Sequence, residues 1–271
     1  MTTPPWKDRL REAAERLRPA GLLYSTYEQR LFAELDRERL PRHVAVLADG
    51  NRRWARLNAP DRPLVAGYRA GAEKLREFVT WCDEAGIQVV TLWVLSTENL
   101  TRHTEDVGPL LGVIERLFVE LAGSKRWRVK CVGDVTMLPE RMAANLARAE
   151  AFSAGNDGMQ INVAIAYGGR HELRDAVRKL LAAEAEKGTP LAEVAETLEI
   201  DDIAEHLYTA GQPDPDLIIR TSGEQRMSGF MMWQSAHSEF YFCEALWPDF
   251  RRVDFLRALR SYANRERRYG R

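Results

Sequence analysis

The chain predicts an α/β protein, a single domain with a central, mostly parallel sheet flanked by helices. Short apolar, β-branched runs recur at 43–48, 87–95, 128–133, 159–166 and 216–220. Segments with helical apolar spacing lie between them, and such alternation argues for a parallel sheet covered on both faces. Three of the runs stop abruptly in polar or charged residues, at Asp49, Ser96 and Arg220. Open α/β sheets bind ligands outside the carboxyl ends of their strands.

Taken in order, residues 1–40 read as a helical extension, with Trp6–Leu17 and Tyr24–Leu40 at helical spacing and Pro4, Pro5 and Pro19 as punctuation. Residues 41–271 carry every chemical motif. Helices are expected near Asn51 and over about 69–85, 105–122, 139–154, 170–187 and 254–269. Residues 188–202 read as the most loop-like internal stretch.

The first motif is HVAVLADGNRRWAR, His43–Arg56. Asp49 can offer a divalent cation hard oxygen ligands. Gly50 lets backbone amides approach a ligand closely, and a helix starting near Asn51 aims its positive end there. Arg52 and Arg53 add fixed positive charge, so the set suits a metal–diphosphate; the bland alternative is a turn with surface arginines.

Near the other end, Leu217–Ile219 lead into Arg220-Thr221-Ser222-Gly223, with Arg226 and Ser228 beyond. Two guanidinium forks and a hydroxyl around a glycine turn can grip a second diphosphate. Glu239 interrupts an apolar and aromatic run and needs an arginine or a metal as partner. Between these motifs, Ser96-Thr97-Glu98-Asn99 follows the second strand, either as a site wall or as an ordinary helix cap.

Composition narrows the classes. Net charge is −1, with Lys+Arg 39 against Asp+Glu 40, which disfavours a nucleic-acid binder. The three cysteines are far apart, with neither a disulfide framework nor zinc spacing, and the expected location is the cytoplasm. No apolar run is long enough to span a membrane. Asp201-Asp202 reads as a helix cap rather than a metal motif, and His237 with Glu239 lacks further histidines for transition-metal chemistry.

In these motifs the chain resembles the cis-prenyltransferases, the undecaprenyl diphosphate synthase family. The resemblance continues through Gly133-Asp134, Asn162, Tyr167-Gly168-Gly169-Arg170, Trp247-Pro248 and Arg265–Arg268, covering roughly residues 40–270. It implies condensation of isopentenyl diphosphate with an allylic diphosphate, geranyl or farnesyl, with Mg²⁺ as cofactor and a homodimer as the assembly.

The resemblance also implies roles for individual residues. Asp49 would hold Mg²⁺ and the primer diphosphate, cradled by Gly50, Asn51, Arg52, Arg53 and Trp54. Arg220, Arg226, Met227 and Ser228 would hold isopentenyl diphosphate. Ser96, Thr97, Glu98, Asn99, Leu100 and Arg102 would line the reacting centre, with Asn99 a weak candidate for the proton acceptor beside diphosphate or water. Glu239, supplied by the neighbourhood of a partner subunit, would complete the metal shell.

Departures from the family pattern bear on the product. Tyr68 stands where many members have histidine, Leu95 and Leu100 replace common aromatics, and Arg62 matches a family arginine only loosely. These variations resemble short-chain actinobacterial members. Val94, larger than the alanine of long-chain members, is expected to close a product tunnel together with Trp93 and Ile161. A short product, (2Z,6E)-farnesyl diphosphate from geranyl diphosphate, is therefore expected. The alternatives are a medium- or long-chain synthase, a noncatalytic subunit of a heteromeric enzyme, or a phosphate-binding regulatory module.

Overall fold

The computed structural model describes residues 19–100 and 104–265. Among them lie two compact units: residues 41–250, and a unit joining the residues before 41 to those after 250. The second unit contains α1 (Pro19–Ala33) and α10 (Arg252–Ala263), which pack on each other. There Arg252 lies over the Phe32 ring and Arg257 over the Tyr27 ring. The helix expected over 24–40 ends at Ala33 and is followed by one 3-10 turn, Arg37–Arg39, begun by the Asp36 carboxylate accepting the Glu38 N–H. The expected helix Trp6–Leu17 lies outside the described residues.

The larger unit is built on a six-stranded sheet, all of whose pairings are parallel. Its strands are β1 (His43–Leu47), β2 (Val89–Trp93), β3 (Arg128–Val132), β4 (Gln160–Ala164), β5 (Leu217–Arg220) and β6 (Glu239–Phe242), in the order β3-β4-β2-β1-β5-β6. The helices are α2 (Asn51–Asn58), α3 (Val65–Glu84), α4 (Thr97–Leu100), α5 (Thr104–Gly123), α6 (Glu140–Ser153), α7 (Gly169–Lys187), α8 (Leu191–Thr197) and α9 (Ile200–Ala204). Strands β1 and β5 are buried along their whole length, as expected of parallel strands covered on both faces.

Register puts the three polar strand ends side by side. Leu47 pairs with both Trp93 and Arg220, so β1 stands between β2 and β5. The Asp216 carboxylate ties the amino ends together by accepting the Arg42 and His43 N–H groups at 2.7 and 3.1 Å. Strand β2 is shorter than its apolar run, because the Val94 and Leu95 N–H groups both turn to the single Ala164 carbonyl.

Two expectations are corrected. The loop-like stretch 188–202 holds α8 and the start of α9. Pro190 precedes α8, and the Asp202 carboxylate accepts the Glu199 N–H at 2.8 Å to open α9, so its acidic pair is a helix cap. The sixth strand, β6, is an addition to the five expected. It is a half-buried edge of four residues whose Phe240 and Phe242 rings stack at 6.0 Å. Its pattern is therefore too short and too mixed to read as a strand. Among the described residues no helix is long and apolar enough to cross a membrane.

Candidate active site

A cavity of about 490 Å³ opens at the carboxyl ends of β1, β2 and β5. Asp49 enters it from β1, held by its backbone. Its N–H donates to the Leu47 carbonyl at 2.9 Å and to the Thr221 hydroxyl at 3.0 Å, while its carbonyl accepts from Thr221 and from the Trp247 N–H, both at 2.9 Å. Gly50 follows with φ +107°, where an L side chain is strained, and a Cβ would come to 2.9 Å from Leu246. The Asp49 side chain remains 44% exposed.

Helix α2 starts at once and is held close to α3 by two glycines four residues apart. A Cβ at Gly67 would stand 2.2 Å from the Asn51 carbonyl oxygen, and one at Gly71 would stand 2.3 Å from Asn51 Oδ1. Asn51 Nδ2 donates to the Ala48 carbonyl at 3.2 Å, bracing the turn that carries Asp49. Trp247 Nε1 donates to the Gly71 carbonyl at 2.9 Å, so the same tryptophan fixes both sides of the turn.

Arg220 enters from β5, only 4% exposed, and reaches three ways. Its Nη2 lies 3.4 Å from Asp49 Oδ2, and its Nη1 donates to Ser228 Oγ at 2.8 Å and to the Arg226 carbonyl. Burial lowers its pKa, yet an arginine stays charged. Glu224 pairs with Arg226 and lies 3.9 Å from Arg53, so a carboxylate stands between two cavity-lining guanidiniums.

Ser96 enters beyond β2. Its hydroxyl accepts the Asn99 N–H at 3.2 Å, which makes it the cap of α4, and it lines the cavity as well. Ser96 is thus a helix cap and a cavity wall at once.

Of the residues singled out from sequence, Asp49, Gly50, Asn51, Arg52, Arg53, Tyr68, Ser96, Glu98, Asn99, Arg220, Arg226 and Ser228 share this one cavity. Trp54, Arg62, Thr97, Leu100 and Met227 are not among its lining residues. Trp54 instead donates from Nε1 to Asp249 at 2.7 Å, Arg62 is exposed, and Thr97 is buried. Arg102 lies outside the described residues. Glu239 pairs with Leu217 at the amino end of the sheet, three register steps from Arg220, or about 10 Å of strand. It therefore does not meet Asp49 within one chain.

Of the expected tunnel wall, Val94 and Trp93 line the cavity, together with Leu110 from α5. Ile161 is fully buried in β4 and is not a lining residue. In the Gly168-Gly169 pair the Gly169 N–H donates to the Gly229 carbonyl at 3.0 Å, and a Cβ there would meet that oxygen at 2.3 Å. Those glycines allow close chain packing. Thr221 was missed as a positioning residue; its place directly after Arg220 at a strand end was the available signal.

Among the described residues no group of three or more His, Cys, Asp or Glu side chains could hold a metal. The donor set is one hard carboxylate, Asp49, in an open cavity rich in guanidinium. That fits a hard cation arriving with phosphate oxygens and waters, and it does not fit an ion caged by protein alone.

Residues 47–270 match the sequence profile of a family described as "Putative undecaprenyl diphosphate synthase". The chain is 54% identical over 249 residues to isoprenyl transferase 1 of Streptomyces avermitilis, covering 92% of this chain and 96% of that one. It is 57% identical over 248 residues to the (2Z,6E)-farnesyl diphosphate synthase of Thermobifida fusca, covering 92% and 97%. Among solved structures it resembles lavandulyl diphosphate synthase from Lavandula x intermedia in complex with dimethylallyl diphosphate. There the TM-score is 0.78 at 34% identity, covering 86% of this chain and 100% of that one.

Proposed function

The chain belongs to the undecaprenyl diphosphate synthase family of cis-prenyltransferases, and from that membership we propose the particulars of its reaction. It is an isoprenyl transferase, and its reading here is short-chain: geranyl diphosphate and isopentenyl diphosphate give (2Z,6E)-farnesyl diphosphate. The allylic C–O bond breaks with its electron pair leaving on diphosphate. The isopentenyl double bond attacks the allylic carbon, and loss of a proton sets the new Z double bond.

Asp49, with the amides after Gly50 and the side chains of Asn51, Arg52 and Arg53, takes the primer diphosphate. Arg220, Arg226 and Ser228 take isopentenyl diphosphate. The supporting observation is Arg220, which touches both Asp49 and Ser228 and so spans the two halves of the cavity. Mg²⁺, held by Asp49, would neutralise charge on the departing diphosphate. Ser96, Glu98 and Asn99 line the same cavity beyond the end of β2, with diphosphate, water or Asn99 accepting the proton.

A homodimer fits the edge position of β6 and supplies a place for Glu239, which one chain keeps away from Asp49. Three free thiols suit the reducing cytoplasm as the working compartment. The test is incubation of the purified protein with geranyl diphosphate, labelled isopentenyl diphosphate and Mg²⁺, followed by product chromatography. A labelled fifteen-carbon Z,E product is expected. No label incorporation would overturn the reaction, and chains of ten or more units would overturn the short-chain reading.

A further inference from the structure

The turn that carries Ser228 has a strained backbone. Ser228 has φ +51° and Met231 φ +45°, and Gly229 between them has φ +82°. Left-handed geometry is strained for L residues, and it persists only where surroundings over-determine it. The surroundings here converge on Tyr167. The Met231 N–H donates to the Tyr167 hydroxyl at 3.1 Å, and the Phe230 ring meets the Tyr167 ring edge-on at 5.9 Å and stacks on Trp93 at 5.0 Å. Two residues after Tyr167, the Gly169 N–H donates to the Gly229 carbonyl at 3.0 Å.

Tyr167 is itself anchored. Its hydroxyl donates to Glu172 Oε2 at 2.5 Å, and Glu172 is 1% exposed. The other carboxylate oxygen accepts the Tyr208 N–H at 3.0 Å and Gln234 Nε2 at 3.1 Å. A phenol has one proton to give, so its donation to Glu172 leaves the oxygen free to accept from Met231. On its backbone side, the Tyr167 N–H donates to the Leu95 carbonyl and its carbonyl accepts the Thr97 N–H, both at 3.1 Å. One residue thus joins the segment around Ser96 to the turn around Ser228.

We propose that Tyr167, oriented by the buried Glu172, is a positioning residue that holds the strained Ser228–Met231 turn in its isopentenyl-diphosphate-binding shape. The proposal rests on the assignment of Ser228 to that substrate. Neither Glu172 nor Tyr167 lines the cavity, so Glu172 acts through its partners Tyr167, Gln234 and the Tyr208 N–H. The hydroxyl therefore contributes to affinity for one substrate more than to the chemical step.

The test is Tyr167→Phe, which keeps the ring packing and removes the hydroxyl. The KM for isopentenyl diphosphate should rise roughly tenfold, the loss expected when a buried N–H is left without its acceptor. The KM for geranyl diphosphate and kcat at saturation should stay within about twofold. Glu172→Gln serves as the second variant: it keeps the shape but only one acceptor oxygen for three donors, and it should shift the same KM in the same direction by a smaller factor. A variant that melts earlier while both KM values stay at wild-type levels, or rise together, would reduce the pair to core packing. Wild-type turnover separates the failures. If the wild type incorporates no isopentenyl diphosphate, the assigned reaction fails; if it does and both variants match it, the positioning role fails.

Discussion

Arg220 Nη2 lies 3.4 Å from Asp49 Oδ2, across the carboxyl ends of two adjacent parallel strands. Their side chains are 4% and 44% exposed, so a buried cation stands behind a carboxylate that faces the cavity. The same guanidinium holds Ser228 Oγ, and through it the strand ends form one charged unit. Removing either partner disturbs chemistry and electrostatics together.

Asp49→Ala is expected to leave the fold intact, because backbone hydrogen bonds to Leu47, Thr221 and Trp247 hold the turn independently of the carboxylate. Turnover should fall by at least about a hundredfold, since a methyl group cannot ligate a cation. Circular dichroism beside a steady-state assay decides the point. Near-normal activity at raised Mg²⁺ would remove Asp49 from the metal role.

Arg226→Ala separates the two diphosphates. The side chain is 66% exposed and its partner is Glu224, so little packing is lost. A missing charge-assisted contact should weaken isopentenyl diphosphate by about 1.5–3 kcal/mol, with primer affinity unchanged. Titration with each substrate alone reads this directly, and a loss confined to the primer would exchange the two sites.

Val94→Ala should lengthen the product distribution. Val94 lines a cavity of about 490 Å³ that must hold two diphosphates as well as the growing chain. On the proposed reaction each further five-carbon unit would have to fit against the Val94 side chain, and overpacking costs on the order of 1–3 kcal/mol. Chromatography of products from the variant should show longer chains; an unchanged fifteen-carbon product would place the stop elsewhere, with Trp93 and Leu110 the remaining walls.

Stability should fall in acid through His43. The ring is fully buried, with Nδ1 at 2.7 Å from the Pro213 carbonyl and Nε2 at 2.8 Å from Thr91 Oγ1. Burial pushes its pKa from 6.5 down to about 4, outweighing the pull of Pro213 and Asp216. The unfolded chain therefore binds the proton more readily. The contribution is fully present above about pH 6.5 and is lost as pH falls toward 4, on the order of 3 kcal/mol in all. Urea midpoints at pH 7 and pH 5 should differ, and His43→Gln should shrink that difference; an equal slope in the variant would assign it to other groups.

The protein should sediment as a homodimer at micromolar concentration. Strand β6 is an edge with Phe242 40% exposed, and edge strands of this kind are usually covered. A fully active monomer would contradict this.

By itself the sequence determined the α/β class, five of the six strands and the residues at three strand ends. Buried parallel strands write themselves as continuous apolar runs, and each run here stops where its polar residue begins, at Asp49, Ser96 and Arg220. Local chemistry also marked the Asp201-Asp202 cap correctly. Tertiary structure alone decided which of these residues meet. Register placed Leu47 against both Trp93 and Arg220, while the same register carried Glu239 to the far end of β6. The fold likewise set Gly169 against Gly229, Thr221 against Asp49 and Tyr167 against Met231. Those three pairs are 60, 172 and 64 residues apart in the chain. No periodicity records such contacts, because the strand order that creates them is a property of the folded sheet and not of any single segment.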